Sequence, residues 1–191
     1  MEIFKAVLFC VAAYLLLWNV YILIFNKGVP NIRTAPAIRR RIIDTLKSDM
    51  AKKGGAKNGA PRYTIYDMGS GNGLLTREIA KAIPDARVIG VEASRQCIEW
   101  SDKVKTAQNI PNLEYRRADF FEHDFGDADA VVVFLSVYEM GRVGEKLMKN
   151  LKSGTLVTSN RFPLTGWAVE EKVKVLTLYP FQKYFHIYHH P

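Results

Sequence analysis

Three glycines at alternate positions, directly after a short apolar run, limit what this chain can become more than any other feature. The stretch is Thr64-Ile65-Tyr66-Asp67-Met68-Gly69-Ser70-Gly71-Asn72-Gly73. Its β-branched and aromatic start reads as a strand, and residues 74–83 read as a helix. A strand, a tight turn and a helix start therefore follow in immediate succession. Glycine accepts positive φ and lets a ligand approach the backbone closely. The helix start beyond it supplies N–H groups with no intrahelical partner. Asp67 places a negative charge at the strand end. This combination suits a nucleotide-like ligand with a cationic part, because a diphosphate held by N–H groups gains nothing from the acid. The dinucleotide fingerprint G-x-G-x-x-G puts its third glycine one residue later than Gly73.

Beyond the turn, apolar strands alternate with helical segments. Residues 86–91 read as a second strand ending at Glu92, and residues 94–106 as a helix. Residues 113–117 form a third strand, ending at Ala118-Asp119-Phe120-Phe121. Residues 129–135 form a fourth, residues 143–151 a helix, and residues 156–160 a fifth strand. Residues 173–178 and 184–188 read as two more, joined as an antiparallel pair by Pro180-Phe181-Gln182-Lys183. Continuous apolar strands alternating with helices imply a parallel sheet covered on both faces. The expected fold is α/β: a Rossmann-like, doubly wound seven-stranded sheet, mostly parallel with the last strand antiparallel.

In such a sheet the ligand lies beyond the carboxyl ends of the strands. Asp67, Glu92 and Asp119 fall at three successive ends. Glu92 is placed to accept from two ribose hydroxyls and Asp119 from an adenine amino group, with Phe120 covering the ring. Gly69, Ser70, Gly71 and Gly73 complete the cofactor-binding set.

Residues 6–25 form an apolar run with Asn19 as the one polar interruption. About 20 such residues cross a hydrocarbon core of about 30 Å, with Trp18, Tyr21 and Phe25 near one interface. A cleaved signal peptide requires a basic start, a shorter apolar core and a small-residue cleavage site, and the start here is Met1-Glu2-Ile3-Phe4-Lys5. The run is expected to stay as one transmembrane helix. Lys27, Arg33, Arg39, Arg40 and Arg41 follow it against Lys5 before it, which places the following domain on the cytoplasmic side in a bacterium. Residues 34–53 read as an amphipathic helix with Thr34 as N-cap and Ile38, Ile42, Ile43, Leu46 and Met50 on one face. It covers the sheet, and Arg39 to Arg41 are also available to anionic headgroups. Residues 52–62 form a connector rich in Gly and Lys. The expected organisation is a transmembrane anchor over residues 3–26, an amphipathic helix and linker over 27–62, and a catalytic domain over 63–191.

The net charge of +8 suits anionic lipid, nucleic acid or an acidic partner without choosing among them. The two cysteines, Cys10 and Cys97, do not suggest a disulfide. No Cys/His spacing matches a zinc site, and His186, His189 and His190 read as strand or surface residues; no metal is expected.

The pattern D-x-G-x-G-x-G, followed by Glu92 and then Ala118-Asp119, resembles class I (seven-β-strand) S-adenosylmethionine-dependent methyltransferases. The downstream stretches are more particular. Val133-Phe134-Leu135-Ser136-Val137-Tyr138-Glu139-Met140, then Lys146-Leu147, then Asn160-Arg161-Phe162-Pro163 with Trp167, are similar to one branch. That branch comprises the membrane-anchored protein-lysine methyltransferases that modify the ATP synthase c subunit and the adenine nucleotide translocase, with prokaryotic relatives. The apolar span followed by Gly28-Val29-Pro30 and Thr34 also resembles it, although Arg33 stands where the family has a second proline.

The resemblance implies S-adenosyl-L-methionine as cofactor and transfer of its methyl group to a lysine. A lysine's ordinary pKa is about 10.4, so its reactive neutral form is scarce at neutral pH and burial among aromatic groups favours it. Phe134, Tyr138, Phe162 and Trp167 are the aromatic candidates, with core packing as the competing reading. Glu139 is a candidate to orient the amine or take its proton, with capping of the next helix as the competing reading. Tyr138 and Glu139 are thus the catalytic candidates, and Phe134, Arg161, Phe162 and Trp167 the substrate candidates, with a structural ion pair as the competing reading for Arg161. The expected partners are a membrane and a membrane-associated protein; in a eukaryote the location is the mitochondrial inner membrane. The alternatives are a nucleic-acid or small-molecule acceptor, or a non-catalytic membrane adaptor of the same fold. An N-P-P-Y-type motif after the fourth strand, common in amino-directed nucleic-acid methyltransferases, is absent.

Overall fold

Parallel strands place every carboxyl end on one edge of a sheet, and that rule positions everything of interest in this chain. The computed structural model describes residues 2–25, 32–54, 63–179 and 181–191, the first block without the side chains of residues 21–25. The expectations for Tyr21, Phe25, Lys27, Gly28-Val29-Pro30 and most of the 52–62 connector lie outside the described residues. The chain divides into two units, Met1–Ile32 and Arg33–Pro191.

The first unit contains α1 (Glu2–Phe25), an apolar helix whose described side chains are almost all exposed. At 1.5 Å per residue, its 24 residues reach roughly 36 Å, and the stretch Glu2–Val20 is long and apolar enough to cross a membrane. Asn19 donates its side-chain N–H to the Leu15 carbonyl at 2.7 Å, which satisfies the one polar interruption inside the helix itself.

The second unit contains α2 (Pro36–Lys52), β1 (Thr64–Met68), α3 (Leu74–Ala82), β2 (Arg87–Glu92), α4 (Arg95–Ala107), β3 (Leu113–Arg117), β4 (Ala130–Val133), a short 3-10 turn (Val137–Glu139), α5 (Met140–Asn150), β5 (Leu156–Asn160), β6 (Glu171–Lys174) and β7 (Tyr184–His189). The seven strands form one sheet in the order β3-β2-β1-β4-β5-β7-β6. β1 to β5 run parallel to one another, and β7 runs antiparallel to both β5 and β6. This is the doubly wound seven-stranded architecture the sequence predicts.

Both faces are covered because successive strand residues point to opposite sides. Ile65, Val88, Val132 and Leu156 pack with α2, α3 and Ile98 of α4. Tyr66, Ile89, Val131, Val133 and Val157 pack with Met140, Val143 and Leu147 of α5 on the other side. Helix α2 contributes Ile38, Ile42, Leu46 and Met50 to the first cluster, at the spacing of one helical face. It belongs to the same compact unit as the sheet.

Several boundaries differ from expectation. Ala35, not Thr34, is the N-cap of α2, and no side chain caps it. The Thr34 carbonyl instead accepts from Arg39 Nη1. Arg39 also donates to Glu78 at 2.7 Å, so only Arg40 and Arg41 of the expected basic trio remain exposed and unpaired on α2. β6 lies earlier than expected: its ladder with β7 runs from Glu171 to Lys174, and Val175 to Leu178 leave the sheet. β4 is shorter than expected at both ends, and the Asp129 carboxylate just before it accepts from the Thr64 N–H and from Lys152. α5 starts at Met140, which already faces the core. His186 and His189 are strand residues of β7, and neither Cys10 nor Cys97 is in a disulfide.

Since α2 is part of the core, Leu46→Ala should destabilise the full chain by about 2–5 kcal/mol, the range for deleting a fully buried leucine side chain. Urea denaturation in mild detergent measures this. A loss near zero would show that α2 does not share the fold's cooperative unit.

Candidate active site

The turn after β1 adopts the conformation its glycines allow. Gly69, Gly71 and Gly73 have φ of 75°, 54° and 70°, values that side chains with a Cβ rarely tolerate. Space is also short. A Cβ on Gly73 would lie 2.2 Å from the Tyr115 hydroxyl, and one on Gly69 would lie 2.6 Å from Leu135. Gly90 in β2 completes the nest, because a Cβ there would meet the Tyr115 ring at 2.7 Å and Ser70 Oγ at 2.9 Å.

Hydrogen bonds pin this turn from four sides. Gly69 N and Ser70 N both donate to the Val91 carbonyl, at 2.9 and 3.0 Å. Gly71 N donates to Glu92 Oε2 at 3.0 Å, while Ser94 N donates to Glu92 Oε1 at 2.8 Å. Tyr115 OH donates to the Gly73 carbonyl at 3.0 Å. The buried Arg77 guanidinium donates to the Asn72 carbonyl at 2.8 Å. Glu92 therefore joins the turn after β1 to the start of α4. Each carboxylate oxygen holds one further lone pair for an outside donor.

Asp67 is buried beneath the turn and accepts from the Thr76 hydroxyl at 2.6 Å. Burial pushes its pKa up to about 6; the Thr76 hydrogen bond opposes this and the Glu92 charge adds to it. Asp119 follows β3, is exposed, and accepts from Phe121 N at 2.9 Å. Phe120 beside it is half-buried, with its ring 4.6 Å from that of Phe121. Ala118 N donates to the Glu92 carbonyl at 3.1 Å, which ties the β3 end to the β2 end. The three acids thus share the carboxyl edge with the glycine turn.

The group a methyl donor of this type brings is a cationic sulfonium on a nucleoside. The residues present fit it on two observations. Ser70 Oγ is buried beside the turn without a hydrogen-bond partner, and three carboxylates line one strand-end edge beside a turn that leaves no room for side chains.

The residues expected to meet the acceptor are spread along the same edge. Phe134 is half-buried just after β4. Tyr138 is 90% exposed in the 3-10 turn, where Glu139 N donates to the Ser136 carbonyl at 3.0 Å and Ser136 Oγ caps the start by accepting from Tyr138 N at 3.4 Å. Glu139 occupies the N-cap position of α5 but makes no side-chain cap; its carboxylate pairs with Arg142 at 3.4 Å. Arg161 follows β5 with a φ of 69°, a conformation that strains a bulky residue. Its guanidinium lies 4.6 Å from the Phe162 ring centre and 5.4 Å from that of Phe181, so it stacks on aromatics instead of forming the ion pair its charge suggests. Trp167 is a packing residue: its indole N–H donates to the Gly144 carbonyl at 2.9 Å, and its ring meets Tyr188 edge to face. A Cβ on Gly144 would lie 2.5 Å from the Thr165 carbonyl, so glycine is what lets this loop seat on α5.

Sequence reasoning missed Thr76, Arg77, Gly90 and Tyr115. All four act on the turn from neighbouring elements. A hydroxyl, an arginine and a tyrosine at core-facing positions beside the motif were the available signals.

Comparison with known proteins agrees with this fold. Residues 67–171 match the family described as the ANTKMT methyltransferase domain. A protein-lysine N-methyltransferase of Saccharolobus islandicus is 28% identical over 148 residues, covering 77% of this chain and 85% of that one. A malonyl-[acyl-carrier protein] O-methyltransferase of Acetivibrio thermocellus is 23% identical, over 72% of this chain and 47% of its own length. Among solved structures, an RNA methyltransferase from Salinibacter ruber in complex with S-adenosyl-L-homocysteine superposes with a TM-score of 0.69 at 22% identity, covering 84% of this chain and 94% of that one. The match spans more than half of the chain, from β1 to β6.

The raised pKa of Asp67 has a consequence for the free protein. A carboxyl that is harder to ionise in the fold favours the fold below about pH 4, and that contribution is lost as pH rises through about 6. The difference is roughly 3 kcal/mol. Asp67→Asn keeps an acceptor for Thr76 and should remove this slope, read by denaturant titration between pH 4 and 7. An unchanged slope in the variant would assign the pH dependence elsewhere.

Proposed function

From its membership of the ANTKMT methyltransferase domain family, we propose that this S-adenosylmethionine-dependent methyltransferase is membrane-tethered and acts on a protein lysine. The single observation that carries the acceptor class is the similarity to a protein-lysine N-methyltransferase over most of both chains. The apolar α1 supports the tether, and the excess of Lys and Arg after it supports a cytoplasmic catalytic domain in a bacterium. In a eukaryote the corresponding site is the mitochondrial inner membrane. We assign residues 3–26 to the anchor.

Gly69, Ser70, Gly71 and Gly73 hold the cofactor through backbone and a free hydroxyl, with Glu92, Asp119 and Phe120 around its nucleoside. Asp67 supplies negative charge from below. The cofactor, when bound, supplies an electrophilic methyl group on a sulfonium. The protein's task is then alignment and exclusion of water. Phe134, Tyr138 and Phe162 form the aromatic side of the acceptor approach, which favours the neutral amine. Glu139 is positioned to orient that amine or take its proton once released from Arg142. Arg161, held over Phe162, borders the same approach.

The test is incubation of the purified full chain with tritiated S-adenosylmethionine and membranes from a strain lacking the gene. The reading expects a labelled protein band carrying methyl-lysine by mass spectrometry. It also expects Glu92→Gln to weaken cofactor binding by at least about tenfold in calorimetry, the loss of one charge-assisted hydrogen bond. Label only in RNA, lipid or small molecules would replace the acceptor class while leaving the enzyme class intact.

A further inference from the structure

We infer that the β6–β7 hairpin tip is a second membrane contact, which inserts into an anionic bilayer surface and holds the methyl-transfer edge against it. The tip is the most exposed apolar feature of the Arg33–Pro191 unit. Leu176 and Leu178 are each 99% exposed, Phe181 is 70% exposed, and Tyr179 stands half out. Scattered surface leucines are ordinary, but several on one short protrusion mark an interaction surface.

The protrusion is presented by a fixed base. Val175 is buried, and its N–H donates to the Lys183 carbonyl at 2.8 Å. Gln182 is buried on the other side and acts as a three-way tie. Its Oε1 accepts from Ala35 N at 2.7 Å and from Asn160 Nδ2 at 3.2 Å, and its Nε2 donates to the Arg33 carbonyl at 2.9 Å. The Thr177 hydroxyl accepts from Tyr179 N at 3.1 Å. The leucines therefore stand in solvent on an ordered stem.

Charge selects the occupant. Residues 172–184 contain Lys172, Lys174 and Lys183 and no acid. Arg161 adds a fourth cation, stacked on Phe181 itself. The acids of this arm, Glu170 and Glu171, lie at the opposite end of the ladder, where Glu171 pairs with Ile187 and Glu170 bonds His189. An apolar tip with aromatics at its shoulders and lysines behind them is complementary to acyl chains below an anionic headgroup layer. A protein groove would ask for a matching concave surface and gives no reason for the cationic collar.

Position gives the contact a role. β6 runs parallel to β5, so the hairpin leaves the sheet at the same edge as the glycine turn, and Arg161 N donates to the Tyr184 carbonyl at 2.9 Å. Tyr138 and Val137 are exposed at that edge as well. An insertion there turns the acceptor approach toward groups that emerge at the bilayer surface. The inference rests on the hairpin alone and holds whichever acceptor the enzyme takes.

The test is hydrogen–deuterium exchange on the full chain in nanodiscs of phosphatidylcholine, with and without phosphatidylserine. Amides of Leu176, Thr177 and Leu178 should slow by at least about tenfold in the anionic discs, the effect of a few lysines near a charged surface. The double variants Leu176→Ser/Leu178→Ser and Lys174→Glu/Lys183→Glu should each abolish that slowing. Equal exchange in both discs would overturn the inference. So would protection that arises only when a membrane-protein extract is added, since that assigns a protein partner. Amides of α1, read in the same samples, report on the anchor separately, so its failure is distinguishable from failure of the hairpin contact.

Discussion

The bond from Gly71 N to Glu92 is the contact on which the site depends. It runs between the ends of two adjacent parallel strands, so it converts sheet pairing into loop geometry. Without it, a turn with three residues at positive φ has many conformations available, because glycine is the most permissive residue. With it, and with Tyr115 and Arg77 holding the Gly73 and Asn72 carbonyls, the turn has one. Glu92 also holds Ser94 N, so the same carboxylate sets the start of α4. A single acid thereby relates three elements, and each of its carboxylate oxygens keeps one further lone pair.

Much of this was legible in the sequence, and for a physical reason. β1, β2 and β4 are buried on both faces, so their apolar runs are nearly continuous and an acid stands out at the end of β1 and of β2. That is why Asp67 and Glu92 could be placed at one edge from the sequence, and the alternation of β3 placed Asp119 beside them. The motif's glycines carried their own conformational signature. The antiparallel last pair was legible from the short connection.

What stayed hidden depends on partners distant in sequence. β6 is an edge strand whose residues, Glu171 to Lys174, are mostly exposed, so it lacks an apolar signal. The more strand-like run just after it, Val175 to Leu178, has no strand to pair with and becomes the hairpin tip. Trp167 looked like part of a binding pocket, but its indole N–H is already taken by Gly144, and only the close approach at that glycine reveals it. Arg161 looked like half of an ion pair and instead stacks on two aromatic rings. Thr76 and Tyr115 gain their meaning only when the helix and strand that carry them fold over the turn.

Asp67 connects the motif to its chemistry. A carboxyl buried this way is costly to ionise, and its pKa is held near 6. A cationic ligand nearby offsets that cost and favours the carboxylate. By linkage, the ligand should then bind more tightly where Asp67 can ionise. The direct measurement is the affinity for S-adenosylmethionine, by calorimetry, from pH 5 to 8 in the native chain and in Asp67→Asn. Native affinity should fall as pH drops below about 6, and the variant should bind more weakly with a flat profile. Identical, pH-independent affinities in both proteins would contradict the claim that this buried acid and the turn above it form the cofactor site.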